Sequence, residues 1–362
     1  MGTLFDYVSW RGDLSFEQAP FNEVDGLIFA LLSYVDYKDI VSEWHFSEPI
    51  SLQAAGTSFF TRNPDPRKTS IGLIIPKDIL RLLKAVKETK RFRRVGMLAY
   101  TNRIDLEEQT QFSAVTFLLG NGESVVAFRG TDDTIVGWKE DFNMSFMDVV
   151  PAQKHAVEYL STAAQHLKGK LYIAGHSKGG NLAVYSAVNV DSEIKKRILG
   201  VWNFDGPGFR DRILNDPNYL SIKPQIKTLL PQSSLVGMLL EHEEDYMVVK
   251  SRQKGFLQHN GLNWDVMGSG FVRVKSISAE SRRNDKTLKK WIEGMTLEQR
   301  EQLCEALYRI LSSDNALTLT DLVSVKNRWL LRGLQLDADV HQVLGQTLKS
   351  LVKVNLNYKS EE

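Results

Sequence analysis

The period of the apolar positions changes twice along the chain, and each change marks a new kind of element. From about Asn22, Val24, Leu27, Ile28, Leu31, Leu32 and Val35 fall on one helical stripe, which predicts a helix covering a core. The pattern lapses from 44 to 70, where Asn63, Pro64, Asp65 and Pro66 predict a surface loop. Pro76 then opens a second helix, with Ile79, Leu82, Leu83 and Val86 at helical spacing. From 94 to 129 the period shortens to that of strands, at 95–100, 112–119 and 124–128, the last two joined by a Gly120-Asn121-Gly122 turn. A helix is expected over 150–168, and strands recur at 171–174, 200–204, 226–230 and 246–250. Strands that alternate with helices predict an α/β fold whose sheet is mostly parallel and covered on both faces.

Beyond 285 the pattern is helical again. Thr296 and Gln299 have the spacing of a capping box for a helix carrying Leu303, Cys304, Leu307, Ile310 and Leu311. A further helix is expected from about Val340, with Val343, Leu344, Leu348, Leu351 and Val352 on one face. The expected organisation is a helical and looped extension over 1–93, a core over 94–284 and a helical appendage over 285–362. That appendage either caps the core or offers a face to a partner protein.

The segment LYIAGHSKGGNLAVYSAV (171–188) is a short apolar strand, a glycine-flanked serine and a helix. Gly175, Ser177 and Gly179 satisfy GxSxG, the pattern of a nucleophile elbow, where a strained turn lifts a serine hydroxyl above the carboxyl edge of a sheet. A serine alcohol is a poor nucleophile and needs a histidine base, itself oriented by an acid; after an elbow the order is serine, acid, histidine. The chain has seven histidines, and only those at 242, 259 and 341 follow the elbow and its turn. His259, in the loop GFLQHNGLNWDV after the last expected core strand, is the candidate base. His242 lies in an acidic run that reads as solvated surface, with weak cation binding as the other reading; His341 lies in the appendage.

For the acid, Asp205 ends the strand that runs into NFDGPGF, where glycine and proline stop the strand at the same sheet edge as Ser177. Capping the next helix is the alternative role for Asp205, and Glu241, Glu243 and Asp245 are rivals for the acid. The oxyanion donors are expected from the backbone N–H of Lys178 and from Thr131, through its N–H and its hydroxyl, in VVAFRGTDD (125–133). The apolar run 235–240 is either an acyl-site wall, a lid or a core helix.

Charge and composition narrow the partners. The 45 Lys and Arg balance 44 Asp and Glu, so no overall field favours nucleic acid. The cluster Lys90, Arg91, Arg93 and Arg94 reads as a solvated helix end. Cys304 is the only cysteine, which excludes an intramolecular disulfide and fits a reducing compartment. No apolar run approaches the ~18 residues of a membrane span, and the amino terminus lacks the pattern of a signal peptide, so a cytoplasmic protein is expected. No metal-binding or nucleotide-binding motif stands in a suitable context, so no cofactor is implied.

The combination of VVAFRGTDD, Trp138 and Asp141 in GWKEDF, AGHSKGGNLA and a late histidine resembles the lipase class 3 branch of the α/β-hydrolases over roughly 95–265. Over most of its length the chain is similar to an uncharacterised bacterial family of lipase-like hydrolases that share NFDGPGF, PQSSLVGMLLEH and QHNGLNW. The resemblance implies a serine hydrolase with Ser177 as nucleophile, His259 as base, and Thr131 and Lys178 as oxyanion donors; the expected substrate is a small-molecule acyl ester or a lipid-like molecule with an apolar acyl group. A thioesterase or amidase with the same machinery, or a hydrolase-shaped binding protein without turnover, are the other classes. The chain departs from the class 3 pattern twice. The acid usually stands in the segment that is PQSSLVG here, where Ser233 and Ser234 occur instead. Lys178 replaces a usual leucine, and its side chain is expected either to favour an anionic substrate or to point to solvent.

Overall fold

The computed structural model describes residues 1–65, 75–312 and 317–318. One sheet of eight strands organises it, and its strands lie side by side in chain order: β1 (Ile50–Ser51), β2 (Gly96–Asp105), β3 (Thr110–Leu118), β4 (Glu123–Phe128), β5 (Lys170–His176), β6 (Ile198–Phe204), β7 (Ile226–Pro231) and β8 (Tyr246–Val249). The pairs from β1 to β4 are antiparallel, and those from β4 to β8 are parallel. The long helices are α1 (Leu4–Arg11), α2 (Glu23–Leu32), α3 (Leu52–Arg62), α4 (Asp78–Val86), α5 (Ile135–Asn143), α6 (Pro151–His166) and α7 (Lys178–Asn189). Three short ones follow, α8 (Ser192–Lys195), α9 (Asp211–Leu214) and α10 (Pro217–Ile222), and then α11 (Ala279–Glu293) and α12 (Leu297–Leu311).

Alternation along β4 divides the core. Val125 and Ala127 pack with α2 and α4, through residues such as Leu27, Phe29 and Leu83. Val126 and Phe128 face the other way, onto α6 and α7 through Tyr159, Leu160, Leu182 and Val184. A strand buried on both faces has no room for polar alternation, which is why the central strands read as continuous apolar runs. This is an α/β fold with a mostly parallel sheet covered on both sides, consistent with an α/β-hydrolase.

Three expectations change. Within 44–70 there is a helix, α3, whose first turn is held by Ser51 Oγ accepting from Ala54 N–H (3.1 Å). Its buried face is narrow, mainly Leu52, Ala55 and Phe59, so the periodicity is faint. The basic cluster is not simply a solvated helix end: Arg91 is buried, with Nε and Nη2 on the two oxygens of buried Asp25 (2.9 and 2.5 Å). Its remaining donors reach carbonyls such as Ala19 O (3.0 Å), which offsets the cost of removing a guanidinium from water. The run 235–240 forms turns and no helix. The helix expected from Val340 lies outside the described residues.

Candidate active site

The parallel register sets the site's geometry. Phe128 pairs with Gly175 and His176 with Phe204, so the chains leaving β4, β5 and β6 emerge together at one edge. Ser177 follows β5 directly and has φ 58°, ψ −135°, a left-handed backbone whose cost is of the order of 1–3 kcal/mol for a residue with a Cβ. Close packing explains the flanking glycines. A Cβ on Gly175 would lie 2.0 Å from Gly179 O, and one on Gly179 would lie 2.2 Å from Phe128 O. The result is a half-buried serine at the amino end of α7.

Asp205 leaves β6 with φ 53° and is completely buried. Its Oδ2 is 2.6 Å from His259 Nδ1, and its Oδ1 accepts from Ser234 Oγ (2.5 Å). A carboxylate only accepts, so this contact assigns the ring hydrogen to Nδ1 and leaves Nε2 as the basic nitrogen of His259. Asp205 does not cap the next helix, because α9 begins at Asp211 with Arg210 in the capping position. Ser234, in the segment where class 3 lipases usually carry the acid, holds the second oxygen of this one. Ser177 and His259 line the same cavity, and among the described residues no hydrogen bond joins them. His259 is the last residue of a short 3-10 turn, Gly255–His259, in the connection that follows β8.

His176, inside the elbow, has a role the sequence does not signal. Its Nε2 lies 2.7 Å from His259 O and its Nδ1 lies 3.0 Å from Tyr34 Oη. The carbonyl can only accept, so Nε2 carries the hydrogen and Nδ1 accepts from the Tyr34 hydroxyl, which uses both nitrogens of a neutral ring. Burial, with His259 close by, pushes its pKa down to about 3, so the ring stays neutral at physiological pH. It thereby ties the loop carrying His259 to α2's trailing residue Tyr34.

Among the described residues the backbone N–H of Thr131 has no acceptor, and that of Lys178 is the first of α7, where no intrahelical acceptor exists. The Thr131 hydroxyl, however, donates to Asp141 Oδ2, which leaves the N–H as the donor that Thr131 can offer to an oxyanion. Burial raises the Asp141 pKa to about 6, against the opposing effect of the Lys178 ammonium. Lys178 meets neither expectation for its side chain. Buried, it donates to Gln111 O, Gln111 Oε1 and Glu140 Oε2 (2.9, 2.9 and 3.0 Å), so its three hydrogens are all used. It is a structural tie, unavailable to an anionic substrate. Glu140 also accepts from Thr110 Oγ1, Gln111 N–H and Ala152 N–H, which satisfies the buried carboxylate.

Ser177, His259, Thr131, Lys178 and Asp141 border a cavity of about 730 Å³ whose walls are mainly apolar. Val236, Leu239 and Leu240 are part of its wall, so the run 235–240 borders the cavity. His242 is not solvated surface: its nitrogens face Gly237 O (2.6 Å) and Glu244 Oε1 (3.1 Å), and its side chain is buried. Among the described residues no cluster of His, Cys, Asp and Glu could hold a metal ion, and no helix is long and apolar enough to cross a membrane.

A search of curated proteins finds no match to the chain. The Mbeg1-like family model matches residues 86–309, which span the sheet from β2 onward, the elbow, the Asp205–His259 pair and all but the end of α12. The chain therefore belongs to the Mbeg1-like family of lipase-related hydrolases with a class 3-like α/β-hydrolase fold.

Proposed function

We propose that the protein is a serine hydrolase that cleaves a carboxylic ester through an acyl-enzyme intermediate. The observation that carries this reading is the Asp205–His259 hydrogen bond of 2.6 Å at the cavity that Ser177 also borders. In this mechanism His259 Nε2 takes the proton as Ser177 Oγ attacks the ester carbonyl, while Asp205 holds the ring and stabilises the imidazolium. The N–H groups of Thr131 and Lys178 stabilise the oxyanion, each such donor contributing about 3 kcal/mol to the transition state. The alcohol leaves with the proton from His259. Water, deprotonated by the same ring, then attacks the acyl-serine and releases the acid. The left-handed backbone at Ser177 holds the hydroxyl at the mouth of this arrangement.

A fluorophosphonate probe tests the proposal. The wild-type protein should be labelled and Ser177→Ala should not; an unlabelled wild type, or labelling that survives the substitution, overturns the reading. In p-nitrophenyl ester hydrolysis by the same preparations, Asp205→Asn should fold normally and lose about 10³–10⁴ in kcat, because an amide no longer holds the required tautomer of His259.

A further inference from the structure

The cavity beside Ser177 is closed on one side by the helical hairpin of α11 and α12, the segment expected from sequence to be an appendage. Trp291 and Ile292 near the end of α11, Met295 in the turn, and Leu303 and Leu307 on α12 all line it. Leu303 and Leu307 are four residues apart and so share one face of the helix. Cys304, on the neighbouring stripe, is buried against α5, where its Sγ lies 3.1 Å from Asn143 Oδ1. On the same side, Lys139 Nζ is 2.5 Å from Glu305 Oε1 and lies over the ring of Tyr308, and Arg300 Nη1 donates to Ser145 O (2.8 Å). Arg300 Nε also donates to Ile292 O (3.0 Å), which ties the two arms of the hairpin together. The helix is thus fixed to α5 by polar contacts, while Leu303, Cys304 and Leu307 border the cavity.

On the reading that this cavity holds the acyl group of an ester, we infer that Leu303 and Leu307 of α12 are specificity-determining residues that set the length of acyl chain accepted. The contribution of this roof to the site is apolar. Among the described residues its one charged lining residue is Arg300, whose guanidinium is engaged by two carbonyls, so the described roof selects by shape. Selection by an apolar wall is worth 10–200-fold for a change of about one methylene, so a bulky substitution there has a readable effect.

The test compares kcat/KM for p-nitrophenyl butyrate and p-nitrophenyl dodecanoate in the full-length chain. In Leu307→Trp, the dodecanoate value should fall at least about tenfold while the butyrate value stays within about twofold of wild type. Leu303→Ala enlarges the same wall and should move the ratio the opposite way, toward the longer chain. Both variants are accepted for comparison only if their thermal unfolding stays cooperative; a fully unfolded Leu307→Trp leaves Leu303→Ala to decide. Unchanged chain-length ratios, or equal losses on both esters, overturn the inference. Failure of the wild type to turn over either ester is a different result: it removes the serine-hydrolase reading itself, and the roof assignment with it.

Discussion

At the scale of single residues, the site is held together by groups whose burial makes their protonation state matter to stability. His176 is the clearest case. An unfolded histidine titrates near 6.5, whereas this one is held down to about 3 by burial and by its neighbour His259. Between those values the unfolded chain binds a proton that the folded chain refuses. The stability contributed by the neutral ring is therefore complete above about pH 6.5 and is lost as pH falls toward about 3. From pH 7 to pH 4.5 that loss should be about 2–3 kcal/mol. Urea unfolding of wild type and His176→Gln at both pH values measures it: the variant should show the smaller drop, and equal drops would show that the ring does not titrate in this way. The candidate site residues themselves were legible because each has a local signature: glycines around Ser177, a strand end at Asp205, a loop after the last strand at His259. His176 has none: inside the turn its side chain is expected only to pack against the sheet, and the folded neighbours Tyr34 and His259 O define its work. The same limit applies to Lys178, whose burial depends on Gln111 and Glu140 arriving from β3 and α5.

At the scale of elements, the Lys178–Glu140 pair joins α7 to α5. The first of these begins at the elbow, and the second carries Asp141, which receives the Thr131 hydroxyl. One buried ion pair therefore spans both expected oxyanion donors. Removing one partner of such a pair leaves the other charge uncompensated, typically at 3–5 kcal/mol. Lys178→Met should accordingly lower the stability of the protein by about 3 kcal/mol or more, read as a shift of the urea midpoint with an unchanged slope. A shift below about 1 kcal/mol would mean that Thr110, Gln111 and Ala152 satisfy the Glu140 carboxylate without the ammonium. Elements with strong periodicity, such as α2 and the β3–β4 hairpin, were readable from the chain. By contrast α3 was hidden by its composition: Ala54, Ala55, Gly56, Thr57 and Ser58 supply little apolar contrast, and tertiary contacts of Leu52 and Phe59 decide its state. Arg91 was hidden in another way, because a charge cluster looks alike in sequence whether its members face water or a buried carboxylate.

At the scale of the whole molecule, the question is whether the carboxyl-terminal helices are part of the sheet's cooperative unit. We propose that α12 is a separate unit docked on the core, as the change of pattern along the chain suggests. α12 rests on α5 through contacts of Glu305, Cys304 and Tyr308 and on the following turn through Arg300, while the sheet is flanked by two extensive apolar clusters. Local opening free energy follows the density of such contacts, so α12 should leave the core before the sheet unfolds. Cys304 reports that event. It is 3% exposed, and burial raises its thiol to about 11, so little thiolate exists at pH 8 while the helix is docked. Ellman's reagent should react slowly in buffer. Its rate should rise with urea below the global midpoint, and with a gentler dependence than global unfolding, because opening one helix exposes less surface. Prompt reaction in buffer would mean either that α12 does not stay on α5 or that the reagent reaches Cys304 through the cavity it borders. Protection up to the global midpoint, with the full urea dependence, would place α12 within the core's folding unit. In the intermediate case, release of α12 opens one side of the cavity without disturbing the strand ends that hold Ser177 and Asp205.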